Sequence, residues 1–121
     1  AADTMDIMCE YASGMQAVIH CYSYSAEMAK EYVKMGYYIG IGGVVTFKNA
    51  KKLKAVVQEI PLTSIVLETD CPYLAPVPYR GKRNCSLYLP YVAEQIAELK
   101  GTTVEEVIQQ TEKNSRELYG L

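Results

Sequence analysis

The chain has 121 residues, of which 50% are hydrophobic and 21% charged, and its formal net charge is -2. That suffices for one small unit with a real core and excludes a dedicated nucleic-acid coat protein, while leaving room for an enzyme that grips nucleic acid through one basic loop and metal ions. No apolar run approaches the roughly 18 residues of a membrane span, and the acidic start Ala1-Ala2-Asp3-Thr4-Met5-Asp6 lacks the basic opening of a secretory leader.

Asp3 or Thr4 caps a helix over residues 3–13, with Met5, Met8, Cys9 and Ala12 at helical spacing and Gly14 as its stop. Residues 16–20 form a short apolar strand ending at His20. Ser25 caps a helix running to about Met35, with Ala26, Met28, Ala29, Tyr32 and Val33 inward and Gly36 ending it. Residues 37–41 make a second strand that runs into Gly42-Gly43. A helix over about 49–58 turns Leu53, Val56 and Val57 inward, and Pro61 breaks the chain. Residues 64–69 are a third strand, apolar on both faces in its first half, as in strands covered on both sides. A loop rich in Pro, Gly and Arg follows from Cys71 to about Ser86. Helices over about 87–100 and 103–118 close the chain, the last opened by a Thr103/Glu106 capping box.

Strands alternating with helices predict an α/β fold with parallel strands and right-handed crossovers. Three such strands make either a small open sheet or an arc of a barrel, and composition does not decide between them. Cys9, Cys21, Cys71 and Cys85 contain no CxxC pair, which disfavours a zinc ribbon or redox motif. An even number allows two disulfides, but a core of this size does not need them. Free thiols and a cytoplasmic location are expected. Position 1 is not Met, so either processing removed it or the chain begins inside a longer one.

In parallel α/β folds the functional side chains gather at the C-terminal ends of strands. Here those ends carry His20, the Gly40/Gly42/Gly43 turn, and Asp70. His20, the single histidine, is either a ring satisfied by a backbone carbonyl or a metal ligand. Asp70 either caps the loop before Pro72 or binds metal and handles the proton of an attacking water. Glu68, two residues earlier, points to the same side as Asp70 and needs a cation or donors if buried. Arg80 and Arg83 are the candidates for that partner. The basic run Arg80-Gly81-Lys82-Arg83 is either a solvated surface loop or a phosphate contact. The glycines either turn the chain or leave room for substrate.

Four segments then carry a resemblance. Ile19-His20-Cys21-Tyr22-Ser23, Ile39-Gly40-Ile41-Gly42-Gly43, Leu67-Glu68-Thr69-Asp70-Cys71-Pro72-Tyr73-Leu74-Ala75-Pro76 and Arg80-Gly81-Lys82-Arg83-Asn84 closely resemble the TatD-type hydrolases, in that family's order. The ending Asn114-Ser115-Arg116-Glu117-Leu118-Tyr119-Gly120 is similar to its terminal helix. The resemblance spans about residues 3 to 121 and implies a (β/α)8 TIM barrel of the metal-dependent hydrolase superfamily. Residues 1–121 would be a single unit, the C-terminal part of that barrel, since a whole one takes about 250 residues.

The resemblance further implies a metal-dependent deoxyribonuclease that uses one or two divalent ions (Mg, Mn or Zn), two in the intact enzyme, on DNA. By motif position His20 and Asp70 would be metal ligands, Asp70 would also be the catalytic group, and Glu68 would support the ligands. Arg80, Lys82 and Arg83 would meet the phosphates. The family's His-x-His pair, bridging Glu and further ligand His have no counterpart here. Tyr24 stands where a small residue is usual, and Cys85-Ser86 where Glu-Pro is usual. Two protein ligands fall short of the three that catalytic zinc sites generally show, so the 121 residues alone are expected to be inactive. Their partner would be the missing N-terminal half of the barrel or a second copy of the chain. The alternative is a catalytically inactive module that binds a partner or ligand.

Overall fold

The structure, a computed structural model, describes residues 2–11 and 14–121. Among these residues five α-helices and three strands follow one another as α1 (Ala2–Tyr11), β1 (Val18–Ile19), α2 (Ala26–Lys34), β2 (Tyr38–Ile41), α3 (Lys51–Glu59), β3 (Ile65–Leu67), α4 (Leu89–Lys100) and α5 (Val104–Tyr119). The strands form one sheet in the order β1-β2-β3. Both pairings are parallel, as the alternation predicts.

Register sets the two faces of the sheet. Ile19 pairs with Ile39 and Ile39 with Ile65, so three buried isoleucines form a row on one face. Ile41 joins them, and Val56, Val57 and Ile96 lie in the same hydrophobic core. Full burial of each such side chain contributes about 1.5–3 kcal/mol. The alternate residues Gly40 and Val66 pair on the opposite face. By the same alternation His20 and Glu68 belong to that second face.

Helices α2, α3 and α5 form for the expected local reasons, whereas α1 begins at Ala2, so Asp3 and Thr4 lie inside its first turn and not at a cap. The Ser25 hydroxyl accepts the Met28 N–H at 3.2 Å and starts α2, and Ala26, Ala29 and Tyr32 are its buried residues. Leu53, Val56 and Val57 are the buried face of α3. The Thr103 hydroxyl accepts the Glu106 N–H at 3.2 Å to open α5. The capping box is only half realised, because the Glu106 carboxylate takes the Thr102 hydroxyl. In α1, Met5 and Met8 pack on the core while Cys9 is exposed. Ala12 lies outside the described residues.

Several boundaries are corrected. β1 has two residues rather than five, because it is an edge strand with a partner on one side only. β3 ends at Leu67, since the chain then folds back, with Tyr73 N–H donating to Asp70 O at 2.7 Å. A 3-10 turn over Gly43–Thr46, absent from the sequence reading, follows β2. Another over Ser86–Tyr88 delays α4 to Leu89.

The last helix is tied to the sheet by one buried amide. Asn114, 1% exposed, donates through Nδ2 to Leu62 O at 2.9 Å and to Ile65 O at 2.7 Å. Its Oδ1 accepts from Gln110 at 2.8 Å. Asn114→Ala strands these groups in a dry site, so urea denaturation should show a loss of about 2–3 kcal/mol. An unchanged midpoint would remove Asn114 from the fold's essential contacts.

Candidate metal centre

Three side chains meet at the C-terminal ends of β1 and β3. His20 Nδ1 lies 2.5 Å from Glu68 Oε2, and His20 Nε2 lies 3.8 Å from Asp70 Oδ1. The second oxygen of Glu68 accepts the Cys21 N–H at 2.6 Å. Cys21 stands at φ 49°, a left-handed backbone that an L residue adopts at a cost, and this turn accompanies the N–H contact with the carboxylate.

The carboxylate needs space, and Gly40 leaves it. A Cβ built on Gly40 would collide with Glu68 Oε2 and Cδ. The room at this glycine is therefore taken by Glu68, not by substrate. Gly43 serves a different approach, since a Cβ there would strike Leu74 O and sit 2.9 Å from Pro76 N.

Burial of the Glu68 carboxyl outweighs its two hydrogen bonds. Desolvation pushes it above the usual glutamate range, while the Cys21 N–H and the His20 ring pull the other way. Burial, and then the charges of Glu68 and Asp70, also push the Cys21 thiol up. Glu68 and Asp70 line the same small pocket, where a cation would meet two carboxyl groups. With Glu68 as acceptor, His20 carries its proton on Nδ1 and keeps the Nε2 lone pair free on the side facing Asp70.

These atoms fit part of a metal shell. Two protein ligands of one divalent ion each sit about 2.0–2.2 Å from it, and so roughly 3–4 Å from each other. The 3.8 Å from His20 Nε2 to Asp70 Oδ1 falls in that range. Among the described residues no group of three His, Cys, Asp or Glu could hold an ion. The chain thus brings a histidine nitrogen and an aspartate oxygen at ligand spacing, and a carboxylate on the far side of that ring.

Arg80 and Arg83 are not the partners of Glu68. Its donors are His20 and Cys21, whereas Arg80 rests on the Phe47 ring, 3.8 Å from the centroid. Arg80, Lys82 and Arg83 instead line an open depression of about 830 Å³ with Phe47 and residues 72–75. A smaller cavity of about 60 Å³ is lined by Cys21, Gly42, Glu68 and Asp70 among others, and Leu74 borders both. Tyr24 packs edge-on against Tyr22 at 5.5 Å. All four cysteines are free thiols.

Two solved structures share this architecture. A TatD homologue from Escherichia coli K12 superposes with a TM-score of 0.80 at 31% identity, over 87% of this chain and 40% of that one. A TatD family hydrolase from Entamoeba histolytica gives 0.83 over 97% of this chain and 46% of that one, at 22% identity. The fold is thus that of a hydrolase barrel, of which the three parallel strands and their helices form an arc. Among curated relatives, the Bacillus subtilis metal-dependent hydrolase YabD is 53% identical over 91% of this chain. The E. coli K12 metal-dependent hydrolase YcfH is 42% identical over 98% of it. The chain spans 43% and 45% of their lengths. A profile of TatD related DNases matches residues 1–120, and the chain belongs to that family.

The raised Glu68 carboxyl makes a stability prediction. A folded-state value above the unfolded one favours folding of the protonated form, a contribution complete below the unfolded value and lost as pH rises through the folded one. Gln mimics the neutral form at every pH. In metal-free buffer Glu68→Gln should therefore gain on the parent as pH rises above 4.5, read from denaturation midpoints. A pH-independent difference would contradict the shift.

Proposed function

We propose that the chain is the C-terminal part of a metal-dependent hydrolase barrel that cleaves phosphodiester bonds of DNA. The observation that carries this reading is the His20 Nε2 to Asp70 Oδ1 separation of 3.8 Å, with the other ring nitrogen held by Glu68. Family membership and the relatives' names as metal-dependent hydrolases support it. His20 and Asp70 would hold a divalent cation (Mg, Mn or Zn), one of two in the intact enzyme. A cation there supplies Lewis-acid polarisation of a phosphoryl oxygen and activates water near neutral pH.

The chain's own groups do the rest. Glu68 fixes the tautomer and aim of His20 through Nδ1. Asp70, exposed at the pocket rim, takes the proton of the attacking water. Arg80, Lys82 and Arg83 meet the phosphate backbone from the neighbouring depression. The remaining ligands come from the other half of the barrel or from a second copy. Free cysteines favour a cytoplasmic site of action. Among the described residues no helix is long and apolar enough to cross a membrane.

A second reading, an inactive binding module, draws on the two-ligand donor set. On either reading the 121 residues alone hydrolyse nothing. In protein carrying the whole barrel, a chelator should abolish DNA hydrolysis. His20→Ala and Asp70→Asn should lower it at least about a hundredfold, and Glu68→Gln about ten- to a hundredfold. Folded protein that leaves DNA intact with Mg²⁺ or Mn²⁺ would end the hydrolase reading.

A further inference from the structure

The basic loop after β3 is held in place by the 3-10 turn after β2. Three contacts join them. Gly43 lets the backbone of Leu74–Pro76 pass where a Cβ would stand. The Thr46 hydroxyl donates to Gly43 O at 2.7 Å and accepts the Val77 N–H at 2.8 Å. Phe47, 5% exposed, presents its ring to Arg80, whose guanidinium carbon lies 3.8 Å above the centroid. The loop is also closed on itself. Asn84 donates its N–H to Pro72 O and its Nδ2 to Tyr73 O, both at 2.9 Å.

Among the described residues Arg80, Lys82 and Arg83 make no ion pair. Three cations thus border one depression of about 830 Å³ without an internal counter-charge. A guanidinium resting on a ring face spends none of its five N–H donors on that contact. It is held in position with its hydrogen-bonding capacity unused, which suits a phosphate. His20 and Asp70 do not line this depression, and the three cations do not line the cavity that Glu68 and Asp70 share.

We propose that Phe47 is a positioning residue that holds Arg80 on its ring, and that the Arg80–Lys82–Arg83 cradle so formed binds a phosphate other than the one cleaved. The substrate is then a chain with at least two phosphates, and a lone diester uses only the metal side. This rests on the hydrolase reading above and adds Phe47 and the second phosphate to it.

The test compares Phe47→Leu, Phe47→Tyr and Arg80→Lys in protein carrying the whole barrel. One substrate is an oligodeoxynucleotide, and the other is bis(4-nitrophenyl) phosphate, a diester with a single phosphorus. Phe47→Leu and Arg80→Lys should each raise KM for the oligonucleotide about tenfold with kcat within about twofold. Turnover of the single-phosphate diester should not change, and Phe47→Tyr, which keeps the aromatic face, should behave as the parent. Unchanged KM in folded Phe47→Leu or in Arg80→Lys, or equal losses on both substrates, overturns the proposal. Arg80 is exposed, so its variant decides the matter if Phe47→Leu does not fold. Should the parent hydrolyse neither substrate, the hydrolase reading fails, and the cradle is judged by fluorescence anisotropy with the same oligonucleotide. There, binding about tenfold weaker in Arg80→Lys supports the cradle, and equal binding overturns it.

Discussion

The carboxylate of Glu68 is the constraint on which the site depends. It sits over Gly40 of β2, reaches His20 at the end of β1 and takes the N–H of Cys21. A half-buried carboxylate in this position must be satisfied or it unsettles the sheet. Its two acceptor oxygens are filled by groups 48 and 47 residues away in sequence. One side chain therefore links all three strands at their C-terminal ends. Everything proposed for His20 follows from that grip, because the bond at Nδ1 decides which ring nitrogen is free.

A second constraint runs parallel to the first. The turn at Gly43–Thr46 and Phe47 meets the loop after β3 through a missing Cβ, a hydroxyl and a ring. These contacts fix where Arg80 stands relative to Asp70, since Leu74 borders both cavities. Leu74 itself has φ 56°, a conformation an L side chain rarely holds unless its surroundings impose it. Stability here serves placement: the apolar face of the sheet anchors the helices, and the other face is left for polar groups.

Much of the scaffold was legible in the sequence because local rules and packing agree there. Ser25 caps α2, Leu53, Val56 and Val57 turn inward on α3, and Thr103 opens α5. Strand ends pointed to His20 and Asp70 because parallel sheets expose those ends. The partner of Glu68 was misread because the donor was sought among the cations next along the chain. The true donors are a ring and a backbone amide brought in by the sheet register. The left-handed turn at Cys21 has no residue-level signature, since Cys is not a residue that favours it. Nothing in the sequence singles out Phe47, the single phenylalanine, as the ring beneath Arg80. Strand lengths shrank because β1 is paired on one side and β3 bends away after Leu67.

The central claim is that His20 and Asp70 share a cation while Glu68 holds the far side of the imidazole. Anomalous scattering from crystals of the whole-barrel protein soaked in Mn²⁺ tests it most directly. The account predicts a manganese peak bonded to His20 Nε2 and to the Asp70 carboxylate, with Nδ1 still on Glu68. A peak bonded to Nδ1, or an occupied metal site that touches neither His20 nor Asp70, would contradict it.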